Sequence, residues 1–337
     1  MLFVSCQSDG PGPGKGEKYK DFNFPIKSFS SDLKKSLYRP AGVGGGGAMS
    51  GLSFSPFSSL WFVGTDMGTL FRSVDFGKNW RAVNHLEAVF SPDIDHAVSV
   101  GFSPDPNILF HAPGGIVPLR SEDGGKSWDS IKIDLKEKEF IKYWRADSFD
   151  KNLVLCGTTH GLFISKDIGK TWVRDKLMKA ESQGTFIDYK VGGHIIYHAT
   201  SDRIYYSADQ GRRWDIFYNN SAIKIRDFTA GRDKTGLTLG FLDNQGKKAC
   251  AWAEEYRDDW GDDWMKTNYR DCGYVWLGGE KANFTRTNRY GGDHIRMAEN
   301  DSSTIYVTGG RYWVRQYGTK VWKSSDRGNS WGFNFIN

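Results

Sequence analysis

Cysteine is scarce in this 337-residue chain, and none of its four, Cys6, Cys156, Cys250 and Cys272, stands at a metal-binding spacing. No metal or other cofactor is therefore expected. Cys156 lies in a strand-like run and reads as core, while Cys250 and Cys272 are left either paired or reduced. No apolar stretch approaches the length that spans a bilayer. Runs of Lys or Arg are missing, and the net charge of +5 is spread over interspersed acids and bases, so nothing favours nucleic acid as a partner. Sustained helical periodicity is missing too. The apolar fraction is only 39%, yet aromatics reach 15% and glycine supplies 40 of 337 residues. That balance fits an extracytoplasmic all-β protein with many tight turns.

One short pattern recurs five times. Its copies are Ser73-Val-Asp75-Phe-Gly77-Lys-Asn-Trp80, Ser121-Glu-Asp123-Gly-Gly125-Lys-Ser-Trp128, Ser165-Lys-Asp167-Ile-Gly169-Lys-Thr-Trp172, Ser207-Ala-Asp209-Gln-Gly211-Arg-Arg-Trp214 and Ser324-Ser-Asp326-Arg-Gly328-Asn-Ser-Trp331. Ser and Asp side chains bond nearby backbone N–H groups, Gly supplies a positive φ, and Trp pins the turn to a sheet. The pattern resembles the Asp-box of β-propellers. Asp-boxes occur in sialidases, xyloglucanases, sortilin-type receptors and assembly factors, so the motif speaks for architecture more than for activity.

Spacing gives the blade size. The first four box aspartates are 48, 44 and 42 residues apart, one four-stranded blade each. Asp209 and Asp326 are 117 residues apart, room for three repeats of about forty residues and hence a seven-bladed propeller. Six blade starts are plain, including 225–230 with 237–242 and 295–298 with 304–308. The seventh has one strand, 273–277. Either the N-terminal stretch closes the ring or the chain belongs to a longer protein.

Leu2-Phe-Val-Ser-Cys6, followed by a Gly/Pro/Lys/Ser-rich run, resembles the end of a bacterial lipoprotein signal. Residues 1–20 are then a leader or tether with Cys6 lipidated, and 21–337 a single propeller domain, exported and monomeric. The plain alternative is an unstructured leader with an incidental cysteine.

In a propeller the Asp-box closes the turn between the third and fourth strands. The connections between second and third strands lie at the opposite edge, where ligands bind. This places Asp66, His111, His160, Asp202 and Arg203, with Arg311, Tyr312, Trp313 and Arg315 of the longest such loop, together as candidates. Aromatic faces and guanidinium forks suit sugar rings and carboxylates. Each has a plainer role open to it: Asp66 as the cap of its own turn, the two histidines as bonded loop residues. The acidic-aromatic run 254–264 lacks calcium-loop spacing and reads as a decayed Asp-box turn.

The stretch 44–80 opens Gly-Gly-Gly-Gly-Ala-Met-Ser-Gly-Leu-Ser-Phe-Ser-Pro56 and continues Leu60-Trp-Phe-Val-Gly-Thr-Asp66-Met-Gly-Thr-Leu-Phe-Arg72. It resembles the opening of family-74 glycoside hydrolases, the xyloglucanases. The resemblance implies a hydrolase acting on a plant or algal β-glucan such as xyloglucan, with Asp66 as one of two carboxylates of an inverting mechanism. Two departures stand against it. The loop continues Gly68-Thr69 where the family has Gly-Gly, and the family's second propeller, which supplies the other carboxylate, has no room here unless Asp202, Glu280 or Asp293 substitutes. Two alternatives follow. One is a polysaccharide lyase on uronates, using the His, Tyr and Arg candidates as base and neutraliser. The other is a non-catalytic binding propeller similar to photosystem assembly factors.

Overall fold

The computed structural model describes residues 49–65, 70–83, 99–190, 194–243, 274–290, 294–309 and 319–336. Their secondary structure is almost wholly β. Among them no helix is long and apolar enough to cross a membrane.

The strands form six four-stranded antiparallel sheets among the described residues, each a meander of consecutive strands. Blade 1 is β1 (Met49–Phe54), β2 (Trp61–Thr65), β3 (Leu70–Ser73) and β4 (Arg81–Ala82). Blade 2 is β5 (Gly101–Phe102), β6 (Leu109–His111), β7 (Leu119–Ser121) and β8 (Asp129–Ser130). Blade 3 is β9 (Ile141–Ala146), β10 (Val154–Thr158), β11 (Gly161–Ser165) and β12 (Val173–Arg174). Blade 4 is β13 (Ser182–Asp188), β14 (Ile195–Thr200), β15 (Arg203–Ser207) and β16 (Asp215–Asn219). Blade 5 is β17 (Ile225–Asp233), β18 (Gly236–Asp243), β19 (Tyr274–Gly278) and β20 (Thr285–Tyr290). Blade 6 is β21 (His294–Ala298), β22 (Asp301–Gly309), β23 (Thr319–Ser324) and β24 (Gly332–Ile336).

The seven-blade expectation is thereby corrected to six. It assumed that repeats of about forty residues fill the interval between Asp209 and Asp326. Blade 5 has no box, and residues 244–273, all outside the described set, separate its second strand from its third. The strand expected at 273–277 is that third strand, β19. The acidic run 254–264 also lies outside the described residues.

The five boxes share one geometry. In each, the Ser hydroxyl accepts the Gly N–H and donates to the Asp carboxylate, at 2.8 and 2.9 Å in the second copy. The same carboxylate accepts backbone N–H groups three and four residues on, both at 3.0 Å there. Closing so tight a turn needs two successive left-handed residues, as at Ile168 (φ 57°) and Gly169 (φ 80°). The glycine is also a seat. A Cβ on Gly125 would run into Phe62 of blade 1, and one on Gly169 into Phe110 of blade 2. The preceding blade also reaches across with a guanidinium: Arg72 Nε donates to the Gly124 carbonyl at 2.7 Å, and Arg120 Nε to that of Ile168 at 3.0 Å.

The chain falls into two compact units, residues 1–156 with 164–173, and residues 157–163 with 174–337. In the first, Leu60, Phe62, Leu109 and Trp128 are buried in one cluster between blades 1 and 2. Cys156 is buried in β10 of blade 3. In the second, Phe186, Tyr197, Phe228 and Phe241 fill blades 4 and 5, and Leu242, Val275, Ile295 and Val307 fill blades 5 and 6.

Blade 5 replaces its missing box with other contacts. Phe284 packs on Tyr218 and Phe241, with centroids 4.6 and 5.2 Å away. Arg232 donates to the buried Asp188 of blade 4 through Nε and Nη2, each at 2.7 Å, and to Glu280 through Nη1 at 2.9 Å.

Two outcomes are expected. Gly169→Ala forces a side chain into the left-handed region and against Phe110, and lowers unfolding free energy by about 2–5 kcal/mol in urea titrations. The box hydrogen bonds hold the Asp123 and Asp326 carboxyls down to about 2 from an ordinary 3.8, outweighing burial at Asp123. A depressed carboxyl stabilises the fold above its unfolded value, so that stability is lost as pH falls from 3.8 through 2. Asp123→Asn flattens the acid limb of a melting-temperature profile over that interval.

Candidate functional site

In an antiparallel meander the connection from second to third strand shares an edge with the entry into the first strand, opposite the Asp-boxes. Neighbouring blades are joined along this edge. In the first unit Gly115, in the 3₁₀ turn Pro113–Gly115, approaches Ile141 at the head of β9 closely enough to exclude a Cβ. In the second, Ser182 Oγ donates to the Gly161 carbonyl at 2.7 Å, and the Ile225 N–H to the Ser201 carbonyl at 2.9 Å.

Asp66 lies outside the described residues, in the connection between β2 and β3. So do Arg311, Tyr312, Trp313 and Arg315 between β22 and β23, Asp293 before β21, and Cys6, Cys250 and Cys272. His111 is the last residue of β6 and is buried, its ring centroid 5.8 Å from Trp128. Burial pulls its pKa down to about 4, and Nδ1 has no hydrogen-bond partner among the described residues. Its surroundings are those of a packing residue. The same edge of that unit exposes Ile116 and Val117.

His160 sits in the two-residue turn between β10 and β11, its Nδ1 2.9 Å from Thr159 Oγ1 and its carbonyl accepting Arg174. Arg174 also lies over the Phe163 ring, 4.2 Å from the centroid. Asp202 occupies the next such turn, and Arg203 is the first residue of β15. Arg203 meets Asp202 Oδ2 through Nε at 3.0 Å and Nη2 at 2.9 Å, and Thr200 Oγ1 donates to Oδ1 at 2.7 Å. The two candidates therefore largely satisfy each other.

A further cluster at this edge escaped the sequence reading. β17 and β21 run side by side in parallel, and side chains of β17 accept N–H groups of β21: Asp227 from Ile295 at 2.8 Å, Thr229 from Met297 at 3.0 Å. Asp227 Oδ2 also meets Arg296 Nη1 at 2.5 Å and His294 Nδ1 at 3.5 Å. Burial raises the Asp227 pKa, but the charge of Arg296 and the bonds from His294 and Ile295 outweigh it and hold the group below the ordinary carboxylate range. Asp227 is thus a saturated, ionised anchor, while the His294 and Arg296 side chains are 62% and 59% exposed. These residues, 67 positions apart, meet only because two first strands are neighbours. The one available hint was His294 and Arg296 at alternate positions of a strand.

His198 was also missed. It is fully buried between Thr185 Oγ1 at 2.8 Å and Ser182 Oγ at 3.2 Å, and burial lowers its pKa to about 3. It ties β14 to β13 and has no open face. Among the described residues, no group of three or more His, Cys, Asp or Glu is placed to hold a metal.

Repeated boxes on successive four-stranded meanders decide the architecture. The chain is an Asp-box β-propeller. The BNR-Asp box repeat model matches residues 70–83, the first box with its flanking strands. No curated protein matches the sequence. Among solved structures, a GH74 enzyme of Niastella koreensis is 18% identical with a TM-score of 0.61, covering 86% of this chain and 46% of its own. The GH74 xyloglucanase of Xanthomonas campestris is 17% identical with a TM-score of 0.59, covering 88% and 46%. YCF48 bound to D1 peptide is 14% identical with a TM-score of 0.54, covering 86% and 82%. At these identities the likeness is one of fold, and the chain spans less than half the length of the GH74 enzymes.

His111 offers a test by titration. A histidine held neutral in the fold stabilises it fully above its unfolded pKa, here 6.5, and that stability is lost as pH falls toward 4. His111→Leu is expected to leave stability at pH 7 nearly unchanged and to make its decline between those values shallower, read as urea midpoints against pH.

Proposed function

We propose that this chain is an exported, carbohydrate-active propeller, a glycoside hydrolase of the xyloglucanase kind acting on a plant or algal β-glucan. Asp66 is its catalytic carboxylate. The observation that carries this reading is the residue's position. Strands β2 and β3 bracket Asp66 in a second-to-third-strand connection, within the run 44–72 whose residues resemble the xyloglucanase opening. In an inverting hydrolase a carboxylate there either protonates the leaving oxygen or activates water, with its partner carboxylate about 6.5–9.5 Å away. His160, Asp202, Arg203 and the 311–315 group are the proposed sugar contacts, and Cys6 the proposed lipid anchor of a monomer.

A partner-binding propeller without turnover is the second reading. It is favoured by extent, because the match covers 82% of the YCF48 chain but 46% of the GH74 enzymes. It is favoured also by the proposed second carboxylates: Asp202 is engaged by Arg203, and Glu280 by Arg232 and Lys190. The lyase alternative has less support, since His111 is buried.

Turnover of xyloglucan, mixed-linkage glucan, pectins and ulvan, followed by reducing ends and by absorbance of unsaturated uronates, tests the proposal. The hydrolase reading expects reducing ends without absorbance and a fall of roughly 10²–10⁴-fold in kcat for Asp66→Asn, with KM little changed. Absorbance would make the protein a lyase. Silence on every substrate would leave the partner-binding reading.

A further inference from the structure

We propose that residues 22–26 of this chain, Phe22-Asn-Phe24-Pro-Ile26, dock on an exposed aromatic face of blade 1 at its box edge and cover Phe54 and Phe76. This goes beyond the carbohydrate reading and does not depend on it.

Blade 1 has apolar side chains on both faces of its sheet. Phe62 packs on Trp128 of blade 2 and is fully buried, while its neighbour in β2, Trp61, lies on the other face. The Phe54 and Phe76 rings gather around Trp61, with centroids 4.5 and 6.3 Å away. Phe54 is 51% and Phe76 61% exposed. The turn 55–59, which holds the exposed Phe57, is tied to the box by Ser59. Its hydroxyl donates to the carbonyl of the exposed Val74, and its carbonyl accepts the Phe76 N–H at 3.1 Å. A contiguous apolar patch of this kind marks a contact surface.

The other boxes show what such a surface receives. At boxes 2 and 3 the preceding blade supplies Phe62 or Phe110 against the glycine, and Arg72 or Arg120 on the carbonyl before it. At box 1 the nearest side chains to Gly77 are Trp61 and Trp80 of the same blade. Phe76 stands in the left-handed region at φ 58°, a costly place for a bulky side chain. The equivalent residue of box 3, Ile168, is half-buried where the preceding blade arrives. Box 1 therefore combines backbone strain with an exposed ring, and a covering segment relieves the exposure.

The chain supplies that segment next door. Residues 1–48 lie outside the described set and lead directly into β1, the strand that carries Phe54. Among them Phe22, Phe24 and Ile26 alternate with Asn23 and Pro25, a spacing that puts three apolar side chains on one face of an extended segment. Pro25 has no N–H to donate, which suits an outermost position. A coil as long as 27–48 spans roughly 25 Å, against roughly 17 Å along β1 from Met49 to Phe54, so the segment reaches the patch.

Hydrogen exchange of the full chain, read by mass spectrometry, tests the proposal. The amides of 22–24 and 26 are expected to exchange about ten-fold slower than those of a free peptide of the same sequence. Phe54→Ser combined with Phe76→Ser, both at exposed positions, should return them to the peptide's rate while β9 to β11 keep their protection, which shows that the fold survives. Phe24→Ser should do the same. Exchange at the peptide's rate in the unaltered chain overturns the proposal, and patch protection that appears only with added phospholipid vesicles assigns the face to a membrane instead. Slow exchange of 22–26 that ignores the Phe54 and Phe76 changes overturns the location. Protection that is lost on dilution, together with a dimer in sedimentation, gives the face to a second copy and overturns the proposal as well.

Discussion

A serine hydroxyl that takes the N–H of a glycine four residues on is the interaction on which the molecule's repeats depend. In the second box it is buried, and it also donates to Asp123, so one oxygen holds both arms of the turn. Without it, the two left-handed residues that follow the box aspartate would have little to hold them. With it, the glycine of the second and third boxes presents no side chain, and a phenylalanine from the second strand of the previous blade, Phe62 or Phe110, fills the space. Local turn chemistry and blade-to-blade packing are therefore one constraint.

Blade 5 shows what that constraint must be exchanged for when the motif is absent. Its third-to-fourth turn contains Glu280 and is closed by the Ala282 N–H on the Gly279 carbonyl. The link to blade 4 becomes ionic, through Arg232 on the buried Asp188. Breaking such a pair from one side is costly, since it strands the remaining charge in the interior. At two boxed joints a guanidinium of the preceding blade meets a main-chain carbonyl, whereas blade 5 adds to its shared aromatic packing a guanidinium on a carboxylate.

Much of this was legible in the residues. The boxes, the strand pairs flanking them and the places of His160 and Asp202 in tight connections follow from short-range chemistry, which a linear pattern records. Blade number did not follow, because it was inferred from a constant interval and one long connection breaks that interval. The burial of His111 was not legible either. It depends on Trp128, which the box pattern assigns to a turn without saying which ring it covers. The Asp227, His294 and Arg296 group was hidden for a different reason: β17 and β21 exchange no main-chain ladder within one sheet, so no alternation or turn signal links them.

The seats beneath the second and third box glycines have a direction. Phe62 lies 63 residues before Gly125, and Phe110 lies 59 before Gly169. A ribosome therefore releases the receiving surface before the turn that will rest on it. Each of these two turns closes on a surface that is already made when the turn is synthesised.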